Sequence, residues 1–204
     1  MIAVIDYGAG NLRSVLHALT HLGAESIRVV RQPHDLRGAN KLILPGVGAF
    51  GAGMQQLAAQ NLVDPIRDAV RAGVPYLGIC LGMQFLFEHS DELGHHTGLG
   101  LLPGYVTRFP ADLAFKVPHM GWNALEPCRP SPILKGIEPG SYAYFVHSYY
   151  CVPANPQDTL INVDYGIPFT AGVARDNVYG VQFHPEKSQT TGLRLLANFL
   201  EMTQ

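Results

Sequence analysis

Short apolar runs alternate with amphipathic stretches through the first half of the chain. Residues 2–6 form an apolar run closed by Tyr7-Gly8, which predicts a buried strand. Leu12, Val15, Leu16, Leu19 and Leu22 then recur at helical spacing, with Gly23 where a helix C-cap belongs. Residues 27–30 predict a second strand and 41–44 a third, stopped by Pro45-Gly46. Leu62, Ile66, Ala69 and Val70 return to helical spacing up to Ala72, with Gly73 as the stop. Residues 76–79 predict the next strand and 83–89 the helix after it. Strands feeding helices feeding strands predict a parallel sheet covered on both faces, because a parallel connection must cross over the sheet.

The second half has another texture. Residues 142–152, 159–163, 170–175 and 178–183 all read as strands, and the last two flank Asp176-Asn177, a two-residue hairpin turn. Leu193, Leu196, Ala197 and Leu200 share one face of a closing helix. No internal repeat, low-complexity segment or dividing linker interrupts the chain. The expectation is one domain over residues 1–204: an α/β fold with a mostly parallel, twisted sheet, helices on both faces and an antiparallel extension in the C-terminal half.

Composition narrows the function by exclusion. A formal charge of −2 with no basic stripe argues against a nucleic-acid partner. No run approaches the roughly 18 apolar residues of a membrane span, and the start lacks the basic-then-apolar layout of a secretion signal, so a cytoplasmic location is expected. Cys80, Cys128 and Cys151 are too scattered for a disulfide framework or a zinc site. His95-His96, in a glycine-flanked stretch without a cysteine or carboxylate cluster, reads as a solvated loop, and no metal is expected. In Asp6-Tyr7-Gly8-Ala9-Gly10-Asn11 the third glycine of a dinucleotide fingerprint would fall on Arg13, so no cofactor is expected either.

The chemistry concentrates in Gly78-Ile79-Cys80-Leu81-Gly82, where a buried strand must turn sharply into a helix. A side chain at such an elbow stands strained and exposed above the sheet edge. The flanking glycines let strand and helix approach closely, and the helix N-terminus favours thiolate, the attacking species. A thiolate in acyl transfer needs a proton donor for the departing amine. His184 is the best candidate, at a strand end before Pro185, with Glu186 two residues on, where an extended chain points both to one face. His147 competes as a base but reads as mid-strand, without such a carboxylate, and is assigned to pocket or interface. An oxyanion needs backbone donors: Leu81, next after the nucleophile, and the glycine-bearing turn Pro45-Gly46-Val47-Gly48, through Val47 and Gly48.

Three stretches together, GICLGMQ around Cys80, PGVGAF from Pro45 and YGVQFHPEKS around His184, resemble the class I (triad) glutamine amidotransferases. VIDYGAGN near the N-terminus, VPHMGWN at 117–123 and YFVHSYY at 144–150 narrow this. They are similar to the glutaminase subunits of imidazole glycerol phosphate synthases. The resemblance implies that Cys80 attacks the glutamine carboxamide, His184 protonates the leaving ammonia and Glu186 orients His184. It implies glutamine contacts at Gly48, Gln84, Ser148 and Tyr149. It further implies a heterodimer with a (β/α)₈-barrel cyclase subunit, contacted through Asn11, Trp122, Tyr144 and Lys187, which takes the ammonia for histidine biosynthesis. Such a barrel needs about 250 residues and must be a separate chain. Activity of the glutaminase alone is expected to be low, rising as the partner remodels the 45–48 loop. A glutaminase serving another synthase (anthranilate or pyridoxal phosphate) stays open, although VPHMGWN argues against it. So does a thiol chaperone or peptidase, where histidine commonly follows the elbow cysteine and here Leu81 does.

Overall fold

A computed structural model describes residues 1–112 and 114–202. The parallel core is built from β1 (Ile2–Ile5), β2 (Ile27–Val30), β3 (Lys41–Gly46) and β4 (Tyr76–Cys80), joined through α1 (Leu12–His21), α2 (Phe50–Ala59) and α3 (Val63–Arg71). β1, β3 and β4 are buried on both faces because helices cover both faces, whereas β2, at the sheet edge, leaves Arg28 exposed. Ala3, Ile5, Leu42 and Leu44 pack with α2 and α3, while Val4, Ile43 and Leu77 pack on the opposite side with α1 and the C-terminal helix α5 (Gln189–Glu201).

A short α4 (Leu81–Gln84) follows β4, and small strands β5 (His89–Ser90), β6 (His96–Thr97) and β7 (Gly104–Arg108) come next. Then come β8 (His119–Ala124), β9 (Glu126–Pro127), β10 (Tyr142–His147), β11 (Tyr149–Pro153), β12 (Thr159–Asp164), β13 (Pro168–Arg175) and β14 (Val178–Val181). Among the described residues, one 12-stranded sheet runs β2-β1-β3-β4-β14-β13-β11-β7-β5-β6, with β12 and β9 branching from β13, and β8 pairs with β10 in a separate ribbon. The expected mixture of a parallel core and an antiparallel C-terminal part is present. β14 lies parallel beside β4, with Val181 opposite Ile79, and hairpins back onto β13 across Asp176-Asn177.

Several elements differ from the expectation, each for a local reason. The third strand does not stop at Pro45 but runs to Gly46. β1 registers only with Lys41 to Ile43, so Pro45 meets a partner on the β4 side alone and its missing N–H breaks no bond. The helix expected over 83–89 is only Leu81–Gln84, and His89–Ser90 is strand. Leu99, Leu101 and Gly98 donate to the carbonyls of Phe85, Leu86 and Glu88, which removes the acceptors a longer helix needs. Helix α2 was hidden from the pattern by Gly51 and Gly53. Both are close approaches, since a Cβ at 51 would fall 2.6 Å from the His96 ring and one at 53 would strike Phe85. The single strand expected over 142–152 breaks at Ser148 into β10 and β11, which belong to different sheets. On α5 the buried stripe is Leu195, Leu196 and Phe199, with Leu193 and Leu200 at its margin.

Candidate active site

Cys80 ends β4 with φ +54° and ψ −110°, a backbone conformation rare for any residue bearing a Cβ. The glycines around it are steric requirements. A Cβ on Gly78 would strike the Gly82 carbonyl, and one on Gly82 would strike the Leu44 carbonyl of β3. Tyr76 adds a clamp from below by donating its hydroxyl to the Gly82 carbonyl at 2.9 Å. The elbow holds the thiol at the floor of a pocket of 320 Å³, inside the ~300–1,000 Å³ range of small-molecule sites.

β14 delivers the second part. Because it lies in register beside β4, the residues just beyond it reach the elbow. Gln182 donates from Nε2 to Cys80 Sγ at 3.6 Å, and His184 lines the same pocket as the thiol. His184 and Glu186 meet, with Nδ1 2.9 Å from Oε1 and both side chains at most 2% exposed. The route differs from the extended chain expected: Pro185 opens a 3₁₀ turn over Pro185–Lys187, and the turn brings the carboxylate under the imidazole. Ser188 fixes this segment, its hydroxyl donating to the His184 carbonyl at 2.7 Å while accepting from Tyr144 N at 2.9 Å.

Val47, Gly48, Leu81, Gln84, Ser148 and Tyr149 line the pocket together with Cys80 and His184, so the expected oxyanion and glutamine residues converge there. Glu186 stands behind His184. Gln84 is 4% exposed, its Nε2 donating to the Tyr149 carbonyl and to Gln182 Oε1, each at 3.1 Å. Of the four expected partner contacts, three gather on the outer side of the β8–β10 ribbon. Trp122 packs edge-on against Tyr144 at 6.0 Å, and Lys187 Nζ lies 5.9 Å above the Tyr144 ring. Asn11 instead donates to Glu186 Oε1 at 3.2 Å, which ties the N-terminal loop to the buried carboxylate.

Sequence reasoning passed over other residues of the site. Gln182 was two positions from His184 in a motif already singled out, and His119 lay inside VPHMGWN. Tyr7 lies under the 45–48 turn, its hydroxyl 2.5 Å from where a Cβ on Gly46 would fall. Burial, then the nearby Cys80 charge, raises the Tyr7 pKa and keeps the hydroxyl protonated. Glu92 caps α2 by accepting from Phe50 N at 2.7 Å and lines the pocket. His147 is the last residue of β10 rather than mid-strand, and it faces the pocket. Away from this site, the exposed His95 groups with His89 and Asp91, their ligand atoms within 4.8 Å of one another.

The histidines divide by charge. Burial opposes the charged form of His184, but Cys80 and Glu186 outweigh it and push its pKa up to about 10. Burial pushes His119 down to about 4 and His147 to about 3. An unfolded histidine titrates near 6.5. His184 therefore contributes stability that is complete below pH 6.5 and lost as pH rises through 10, whereas the other two withdraw stability as pH falls from 6.5 toward 4. Each fully shifted group changes stability by about 1.4 kcal/mol per pH unit within its window. A thermal-melt series from pH 5 to 9 should peak near 6.5 and fall on both sides; a flat acid side would contradict the buried neutral pair.

A protonated imidazole held by a buried carboxylate, beside a thiol at an elbow, is the apparatus of covalent acyl transfer. Residues 3–202 match the family model "Glutamine amidotransferase class-I". The chain belongs to the class I glutamine amidotransferases, enzymes that release the amide nitrogen of glutamine. Within that class it is 52% identical over 207 residues to "Imidazole glycerol phosphate synthase subunit HisH" of Syntrophotalea carbinolica, covering 99% of this chain and 100% of that one. It is 53% identical to the protein of the same name from Desulfitobacterium hafniense, covering 98% and 93%. A solved glutamine amidotransferase superposes with TM-score 0.76 at 24% identity, covering 98% of both chains, and the PurLQS structure of Thermotoga maritima with 0.74 at 22%, covering 98% and 96%; these two show the fold.

Proposed function

We propose that this chain is the glutaminase subunit of an imidazole glycerol phosphate synthase and that Cys80, His184 and Glu186 carry its chemistry. The observation that supports the reading most is the meeting of the Cys80 elbow and the Glu186-bound His184 over one pocket. The sulfur attacks the glutamine carboxamide carbon, and the oxyanion that forms is met by the Leu81 N–H and by an amide of the Val47-Gly48 turn. As the C–N bond breaks, His184 gives its proton to the leaving nitrogen, releasing ammonia and leaving a glutamyl thioester. The neutral imidazole then takes a proton from water, whose oxygen attacks the thioester, and glutamate departs as the thiol is restored. Glu186 holds Nδ1, and Asn11 holds Glu186. Gly48, Gln84, Ser148 and Tyr149 seat the substrate.

The ammonia passes to a (β/α)₈-barrel cyclase subunit docked on Trp122, Tyr144 and Lys187, with Asn11 at the margin. Trp122 is 46% and Tyr142 59% exposed, an aromatic surface suited to a protein partner. Val47 and Gly48 are exposed at the pocket mouth, and Gly48 has φ +97°, so the turn can change its amide directions when a partner covers it. Glutamine hydrolysis should therefore be slow alone and rise at least about 100-fold with the cyclase and its nucleotide, a supply of about 2.7 kcal/mol, the value of one oxyanion donor. Stimulation only by an unrelated synthase would overturn the partner assignment.

A further inference from the structure

His119 and His147 have no step in the reaction above, yet they form a closed buried chain whose hydrogen positions follow from chemistry alone. The Tyr149 carbonyl can only accept, so His147 Nδ1, 2.9 Å away, carries a hydrogen. The neutral ring then offers a lone pair at Nε2, and His119 Nδ1 at 3.1 Å must be the donor. His119 Nε2 is left to accept from Asn123 Nδ2 at 3.4 Å. The Asn123 amide is fixed in the same sense, because its Oδ1 accepts from Ala124 N at 2.8 Å while Nδ2 also donates to the Asp164 carbonyl at 2.9 Å. Both rings are therefore Nδ1–H tautomers. They are 2% and 6% exposed, and burial holds both uncharged.

The chain ends at a significant carbonyl. His147 closes β10 and Tyr149 opens β11, so the His147–Tyr149 bond spans the corner at which the backbone leaves the ribbon for the large sheet. Ser148 is that corner, held on the other side by Phe109 N at 3.0 Å from its carbonyl. The Tyr149 carbonyl also accepts from Gln84 Nε2; Gln84 reaches Gln182, and Gln182 reaches Cys80 Sγ. His147 is no second base, since its one free nitrogen is taken by His119.

We propose that His119 and His147 are positioning residues of the glutamine site: a pair of neutral Nδ1–H imidazoles that sets the Ser148-Tyr149 corner and, through Gln84 and Gln182, the groups around the Cys80 sulfur. The proposal rests on the glutaminase reading. Asparagine places an amide N–H near the Nδ1 position, whereas leucine fills the space without a donor. With the cyclase present, His147→Leu should raise KM for glutamine about tenfold, with a smaller change in kcat, as expected for a carbonyl left unpaired in a binding corner. His147→Asn should recover most of that loss, and His119→Leu should show a weaker version of it. Asparagine as impaired as leucine, or a loss confined to kcat, would mean that the rings only fill space. ¹⁵N imidazole spectra of the wild-type chain at pH 7 give a readout independent of activity and of whether the leucine variants fold. Both rings should be Nδ1–H, and an Nε2–H ring at either position overturns the proposal. A wild type that hydrolyses no glutamine while showing both Nδ1–H rings would instead remove the glutaminase reading.

Discussion

Replacing Cys80 by alanine should lower glutamine hydrolysis by about 10,000-fold or more, the scale seen when a nucleophile that acts as a unit with its base is removed. Only the sulfur is lost. The sulfur meets the Gln182 amide at 3.6 Å and helps to hold His184 protonated, and both effects are lost. The His184–Glu186 contact at 2.9 Å does not involve the sulfur and remains. The melting temperature should change by no more than a few degrees. The backbone offers a control on this variant. Alanine at φ +54° keeps the strain of a Cβ, whereas Cys80→Gly relieves it and should be the more stable of the two dead enzymes by about 1 kcal/mol. Ammonia release with cyclase and nucleotide present, together with melts of all three proteins, makes the comparison. An alanine variant within tenfold of wild type would end the thioester mechanism.

The second large effect is structural. Gly82→Ala puts a Cβ against the Leu44 carbonyl, and β3 cannot move aside because it is held between β1 and β4. The expected cost is about 3 kcal/mol, the upper range for overpacking a rigid interior. In a chain of this size that lowers Tm by about 6–12 °C. Catalysis should fall further than stability, because the backbone that must yield carries Cys80 and the Leu81 amide, and a misplacement of about 1 Å costs about 100-fold. A Gly82→Ala melt within 2 °C of wild type, on the ~2–4 °C per kcal/mol scale, would show that the elbow is looser than its contacts imply.

Much of the site was legible because its chemistry is local. Gly78, Cys80 and Gly82 mark a turn that has one steric solution, and His184 with Glu186 sits at the end of an apolar run. What stayed hidden depends on contacts far apart in sequence. Nothing near residue 84 says that the α4 helix must end, since the carbonyls that end it are claimed by residues 98–101. Gly51 and Gly53 disguise α2, because a glycine chosen for tight packing looks like a helix breaker until its neighbour is known. The break at Ser148 is marked in YFVHSYY only by His147 and Ser148, two polar residues that a half-buried strand also accommodates, and by no glycine or proline. The strand pattern is continuous, and only the sheet to which each half belongs changes. Asn11 was expected at a partner surface on the strength of resemblance. Its bond to Glu186 crosses 175 residues and could not be read from spacing.

The sheet order has a consequence for how the enzyme comes into being. β14, among the last strands to leave the ribosome, is inserted between β4 and β13 near the middle of the large sheet. Until it docks, β4 ends in Cys80 without the Glu186-bound His184 that follows β14. On the mechanism proposed above, a chain whose sheet has not yet closed cannot cleave glutamine even in the presence of a partner, so a nascent polypeptide would spill no ammonia.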